Sequence, residues 1–252
     1  MDFGGRTILF QSLVGSYNYN LNTETSDKDY KTLVLPNFED LYSGKKFNKT
    51  YVSDTMDYDV HDIRELSNLL WKSNVNFLEV LFSKEIIINS ELDSQIHNLL
   101  SNLFSQRKNI ARMNLPYLYN SCIGMYKAKV NTILNKTGDK DLLAKYGYDT
   151  KSAMHSLRIL NVLQRFVYTD FEDFEYAIRY DIFEDEKTQL LAIKRGLLHV
   201  SDYIQLANKT FIDIECGTCK NLYMNYTPNK KAKEEIDEII KDIIKINIKE
   251  KL

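Results

Sequence analysis

The sequence predicts an α/β (α+β) chain: a small mixed sheet over residues 5–60, then a helical region from about residue 62 to the end. Three observations carry this. Nine glycines and three prolines in 252 residues are too few for a turn-dense all-β design, and that scarcity favours long helices. Short strand-like apolar runs and period-two alternation stand out in the first sixty residues. From Asn74 onward, apolar residues recur at spacings of three and four. Hydrophobic residues at 44% and charged residues at 27% are values of a folded chain with a real core, which excludes global disorder.

Ile8 to Val14 is apolar, and Gly15-Ser16 breaks it. Tyr30 to Pro36 (YKTLVLP) reads as a buried strand closed by proline. Phe38 to Thr55 is polar around Ser43-Gly44-Lys45-Lys46 and reads as an exposed, irregular segment. Met56 to Val60 alternates apolar and acidic residues, as a short strand with one wet face does. Asp62 to Leu70 then takes a helical spacing through Ile63, Leu66, Leu69 and Leu70. Further apolar stripes follow at Phe77-Leu78-Leu81-Phe82, Ile96-Leu99-Leu100-Leu103, Ile159–Val167 and Leu190–Leu198. Lys136 to Thr150, with Gly138 and Gly147, reads as a mobile loop. Lys233 to Lys249 places Ile236, Ile239, Ile240, Ile243 and Ile244 on one face as a core-packing helix.

A formal charge of −2 excludes a generally basic nucleic-acid coat but leaves room for a local basic groove. Three cysteines imply no disulfide framework. Cys216-Gly217-Thr218-Cys219 lacks a second pair of ligands for zinc. The N-terminus lacks the apolar run of a signal peptide, and no window reaches the ~18 apolar residues of a membrane span. A cytoplasmic location without a membrane partner is the expectation.

The chemistry concentrates between Gly15 and Tyr30 (GSYNYNLNTETSDKDY). Gly15-Ser16 is a small pair that can present N–H groups and a hydroxyl to phosphate oxygens. Asp27 and Asp29, two apart at the start of a strand, point to one face about 6–7 Å apart. Carboxylates held that close repel unless cations neutralise them, and Mg²⁺ is the usual partner of carboxylates plus substrate phosphates, with Mn²⁺ as a substitute. Asp57 and Asp59 share one face of the next strand, and either serves as the third metal ligand and general base. Asp57, deeper in the strand, is the choice between them.

These residues resemble the Gly-Ser…Asp-x-Asp signature of the DNA polymerase β-type nucleotidyltransferases, and the fuller pattern is similar to their RNA-repair-associated (RlaP-type) branch. Four blocks between about residues 12 and 197 carry the resemblance. They are VGSYNYNLNTETSDKDYKTLVLP; DYDVHDIRELSNLLWKSNVNFLEVLF, with Asn76 and Glu79 in a family-like Asn…Leu-Glu; CIGMYKAKV; and KYGYDTKSAMHSLRIL followed by LLAIKRG. Two departures stand out: Asn20 and Val75 occupy positions where many members have glycine and proline.

In the last block Lys151, His155 and Arg158 fall at i, i+4 and i+7, one face of a helix, and resemble the family's Lys…His…Arg helix. Such a row suits a triphosphate or an RNA backbone. Arg195 with Lys194, and Lys127 and Lys129, are further phosphate candidates, and Tyr126 or Tyr148 candidates for stacking a base.

The resemblance implies a polymerase β-like sheet with a mostly helical C-terminal domain that closes over the nucleotide, divided as 1–100 and 101–252. It also implies Mg²⁺-dependent transfer of a nucleoside monophosphate from an NTP to an acceptor hydroxyl, an RNA (tRNA) 3′ end in repair or modification. Asp27, Asp29 and Asp57 (or Asp59) would bind metal, Gly15 and Ser16 the outer phosphates, and Lys151, His155, Arg158 and Arg195 further negative charge. The alternatives are nucleotidylation of a protein or small-molecule hydroxyl, or a nucleotide- or RNA-binding module whose chemistry has lapsed.

Overall fold

The computed structural model describes residues 3–53 and 55–249. The chain divides into two compact units, one of residues up to 114 together with those from 228, the other of residues 115–227.

The first unit is built on a five-stranded sheet in the order β3-β4-β2-β1-β5. Its strands are β1 (Ile8–Val14), β2 (Lys28–Val34), β3 (Asn48–Tyr51), β4 (Met56–Asp62) and β5 (Ile86–Ile88). β2 and β4 run parallel and the other neighbours antiparallel, so the sheet is mixed. Between the strands lie α1 (Gly15–Asn18), α2 (Phe38–Tyr42), α3 (Leu66–Trp71) and α4 (Val75–Leu78), and after them α5 (Ser94–Ser105) and α6 (Arg107–Ala111). One sheet face packs on helices, as the edge-to-face contact of Phe10 with Phe104 of α5 shows. The other face holds a smaller cluster of Phe3, Val34 and Val60, rimmed by Ile8, Phe47, Tyr51 and Tyr58.

The second unit is helical: α7 (Leu115–Leu134), α8 (Lys140–Tyr146), α9 (Thr150–Tyr168), α10 (Phe174–Ile178), α11 (Asp185–Lys194), α12 (Val200–Cys216) and α13 (Thr218–Met224). α9 is its axis, buried along most of its length and packed against α7, α10, α11 and α12.

The last helix, α14 (Lys230–Lys249), returns to the first unit and packs on α3, α5 and α6. Ile236, Ile239, Ile240 and Ile243 are buried there, worth roughly 6–12 kcal/mol against exposure. The resemblance divides the chain at residues 100/101, whereas the compact units meet at 114/115 and 227/228. Residues 101–114 and α14 belong with the sheet, because their apolar faces are covered by first-unit helices.

Three further differences have local causes. The segment read as irregular contains α2 and β3. α2 is a single turn closed by a capping box in which Asn37 and Asp40 bond each other's backbone N–H. β3 is an edge strand with exposed Asn48, Lys49 and Thr50, so it shows no apolar alternation. The segment read as a mobile loop contains α8, capped by Asp139 and ended by Gly147 at φ 80°; with no buried residue, it leaves no stripe in the sequence. β5, three isoleucines inside the region read as helical, is the sheet's other edge.

Candidate active site

Register is what builds the site in the first unit. In the parallel ladder of β2 and β4, Asp29 lies opposite Asp57 and Lys31 opposite Asp59, so these side chains share one sheet face. Asp29 and Asp57 are both half-buried, and Asp57 accepts from the Ser53 amide at 3.3 Å. Asp59 is differently placed. Its Oδ2 lies 2.5 Å from Lys31 Nζ and 2.9 Å from His61 Nε2. Hydrogen bonding from His61, then from Lys31, holds the Asp59 carboxyl well below the usual carboxylate range despite partial burial. Phe77 closes this cluster, with Lys31 Nζ 4.7 Å above its ring and the His61 ring edge-on at 4.9 Å. Asp59 is thus committed to an internal ion pair with Lys31 and His61. The sequence does not single out Lys31, although it lies two residues from Asp29 and so on its face, as His61 does from Asp59.

The Gly-Ser turn follows β1, whose Val14 pairs with Asp29. Gly15 has φ +69°, and a Cβ there would sit 2.5 Å from Asp29 Oδ2. Backbone conformation and side-chain space both demand glycine, and the cavity it leaves holds the Asp29 carboxylate. The Gly15 amide does not face outward as the sequence suggested. It donates to Glu79 Oε2 at 3.2 Å, and the same buried carboxylate accepts from Tyr19 Oη at 2.6 Å and Asn18 Nδ2 at 3.4 Å. Glu79 therefore fixes the turn and α1 against the sheet. The two family departures are conformationally quiet. Asn20 takes φ 63°, a left-handed position that asparagine tolerates better than most residues. Val75 is the first residue of α4 after its Asn74 cap, where proline would be at home.

Asp27 lies just before β2, exposed, rather than within the strand. Among the described residues no group of three or more His, Cys, Asp or Glu side chains is arranged to hold a metal ion. The donors that register does bring together are two carboxylates, a hard all-oxygen set beside a glycine-made cradle. That fits Mg²⁺, which takes one or two carboxylates and completes its shell with substrate phosphates and water.

In the second unit the row on α9 shares a helix but not a depth. Lys151 is exposed, His155 half-buried and Arg158 only 2% exposed. Burial first, then Arg158, Lys129 of α7, Lys151 and Lys194 of α11, push the His155 pKa well below its ordinary value, so the imidazole is neutral at neutral pH. The basic group around His155 is thus Lys129, Lys151, Arg158 and Lys194, drawn from three helices. Arg195 caps α11 and is exposed. Neither tyrosine is open to a base. Tyr126 is buried and stacked on Phe211 at 5.1 Å, and Tyr148 is buried, stacked on Tyr203 at 6.1 Å and bonded to Leu198 O. All three cysteines are free thiols, and burial pushes Cys219 up to about 11.

No helix among the described residues is long and apolar enough to cross a membrane. No curated protein matches the chain. The model of one family, the RNA repair pathway DNA polymerase beta family (RlaP), matches residues 4–215, a span that holds the Gly-Ser turn, the β2–β4 carboxylates, Glu79 and the basic row of α9. The mixed sheet followed by helices is an α+β architecture consistent with a polymerase β-like fold. The chain therefore belongs to the RNA repair pathway DNA polymerase beta family, whose chemistry is in general that of nucleotidyltransferases.

Proposed function

We propose that this chain is a Mg²⁺-dependent nucleotidyltransferase that moves a nucleoside monophosphate from an NTP to the terminal hydroxyl of an RNA, tRNA being one such acceptor. The observation that carries the reading is the in-register pairing of Asp29 with Asp57, with Gly15 set against the Asp29 carboxylate. Asp29 and Asp57 would hold the ion, with Asp27 at the strand's entrance as a further oxygen donor. Bound there, Mg²⁺ supplies positive charge to the phosphates and makes a hydroxyl easier to deprotonate.

The chain's own groups then have separable tasks. Asp57 accepts the proton of the acceptor hydroxyl on a carboxylate oxygen. The acceptor's own oxygen, freed of its proton, bonds to the α-phosphorus, the bond from this phosphorus to its bridging oxygen breaks, and pyrophosphate leaves with the electron pair. Glu79 keeps the turn in place, so that the Ser16 hydroxyl can bond an outer phosphate oxygen. Lys31 and His61 neutralise Asp59 and so limit the repulsion that Asp57 must bear from it. In the second unit, the basic group around His155 suits a polyanion, and bound phosphate would raise the His155 pKa and draw a proton onto the ring. Catalysis of this kind is mostly positioning and electrostatics.

The test is label transfer from each of four α-³²P NTPs, with Mg²⁺ or Mn²⁺, onto total RNA and onto lysate protein, with Asp29→Ala/Asp57→Ala as the control. Label on RNA that disappears in the control supports the reading and names the nucleotide. Label on protein alone replaces the acceptor. No label from folded protein overturns the reading as an enzyme.

A further inference from the structure

α2 carries two large aromatic rings on its outer side. Phe38 and Tyr42, one helical turn apart, are 70% and 82% exposed. Their rings lie parallel within 15°, with centroids 6.2 Å apart. Solitary exposed aromatics need no explanation, but two aligned and fully presented rings are unusual.

The backbone that presents them is held rigidly. Beyond the capping box of α2, Arg6 makes a bidentate ion pair with Asp40 at 2.7 and 2.6 Å and lies 4.0 Å from the centre of the Phe47 ring. Arg64 donates to the carbonyls of both Asp40 and Lys45, tying the turn after α2 back onto the helix. Ser43 Oγ closes that turn on Glu39 O at 2.6 Å.

Charge settles the kind of partner. Lys45, Lys46 and Lys49 follow within seven residues of Tyr42 and are all exposed. Arg6 neutralises Asp40, Lys46 and Asn48 engage Glu65, and the other acid on α2 is the exposed Glu39. Flat aromatic faces followed in the chain by exposed lysines match a single-stranded nucleic acid, whose bases stack while its phosphates meet the cations. A protein partner would instead be expected to bury the rings in an apolar surround with few charges.

We propose that Phe38 and Tyr42, with Lys45, Lys46 and Lys49, form a stacking platform for a single-stranded segment of the RNA acceptor. This rests on the RNA reading of the site above. α2 follows the far end of β2, five residues beyond Asp29, or roughly 16 Å along the strand. The platform therefore grips the body of the RNA and not the terminal nucleotide that reacts, so its effect depends on acceptor length.

The test uses the full chain and two probes, a fluorescein-labelled single-stranded 20-mer RNA and an unlabelled trinucleotide acceptor. Phe38→Ala/Tyr42→Ala is expected to weaken 20-mer binding by about tenfold or more, Phe38→Trp/Tyr42→Trp to restore it, and neither to change label transfer onto the trinucleotide. Lys45→Gln/Lys46→Gln/Lys49→Gln is expected to lower the slope of log affinity against log salt by about 2. Unchanged 20-mer affinity in the double-alanine protein overturns the platform, and so does absence of any 20-mer binding by the parent chain. A self-association removed by the same variant, at constant RNA affinity, overturns it in favour of a second copy. Ring-dependent RNA binding in a chain that labels no acceptor leaves the platform standing and overturns the enzymatic reading; label transfer with ring-independent binding does the reverse.

Discussion

The strand pair and the α9 row are both sets of charged side chains spaced by secondary-structure period, yet the two were not equally legible. In β2 and β4 the period is two, and parallel pairing sets Asp29 beside Asp57 and Lys31 beside Asp59 at one level of one face. On α9 the spacing of Lys151, His155 and Arg158 fixes a common side, while depth changes from exposed to buried over two turns. A strand's ladder fixes both direction and height. A helix's repeat fixes direction alone, and its neighbours decide which end is wet.

If that contrast is right, small changes in the first region should disturb geometry and small changes in the second should disturb charge. Among changes that leave every carboxylate in place, the largest effect is expected at Gly15→Ala. The added methyl meets Asp29 Oδ2 at 2.5 Å in a backbone conformation costing about 1–2 kcal/mol for an L-residue. Displacing a catalytic carboxylate by about 1 Å should lower kcat about 100-fold, with the fold retained by circular dichroism. Glu79→Gln comes next. It leaves an amide among the donors Gly15 N, Asn18 Nδ2 and Tyr19 Oη, and should lower stability by about 2 kcal/mol and kcat about tenfold. Denaturant melts and single-turnover rates would separate the two.

Lys151→Ala should be gentler. An exposed cation contributes about 1 kcal/mol or less, so NTP or RNA affinity should fall about fivefold at low salt and the difference should shrink as salt rises. The smallest effect concerns pH. The unfolded chain takes up the His155 proton near pH 6.5, whereas the fold resists it. His155 therefore contributes stability that is present above about pH 6.5 and is lost as the pH falls toward its depressed folded value. Melting temperature against pH should fall below 6.5, and His155→Gln should flatten that part of the curve.

Much of the first unit could be read directly. Strands β1, β2 and β4 carry the apolar runs or alternation that the sequence shows, and the isoleucine stripe of α14 is a core face. The rest needed the third dimension. β3 and β5 are edge strands stabilised by backbone bonds that leave no side-chain pattern, and α2 and α8 are held by caps and by Arg6 and Arg64 rather than by buried stripes. That α14 rejoins the sheet unit depends on which surface covers its isoleucines, a fact of packing and not of chain order. At the site, the aspartates were legible as a group. The sequence puts Asp57 deeper in its strand than Asp59, but in β4 Asp57 is the second residue and Asp59 the fourth. What favours Asp57 in the proposal is the capture of Asp59 by Lys31 and His61, a side-chain contact that strand position does not announce.

The most direct test compares Asp57→Asn with Asp59→Asn in label transfer to RNA under identical conditions. The account predicts that Asp57→Asn loses about a thousandfold or more in rate while Asp59→Asn stays within about tenfold of the parent. Retained activity in Asp57→Asn, or an equal collapse in Asp59→Asn with its fold intact, would contradict the assignment of the Asp29–Asp57 pair as the catalytic centre.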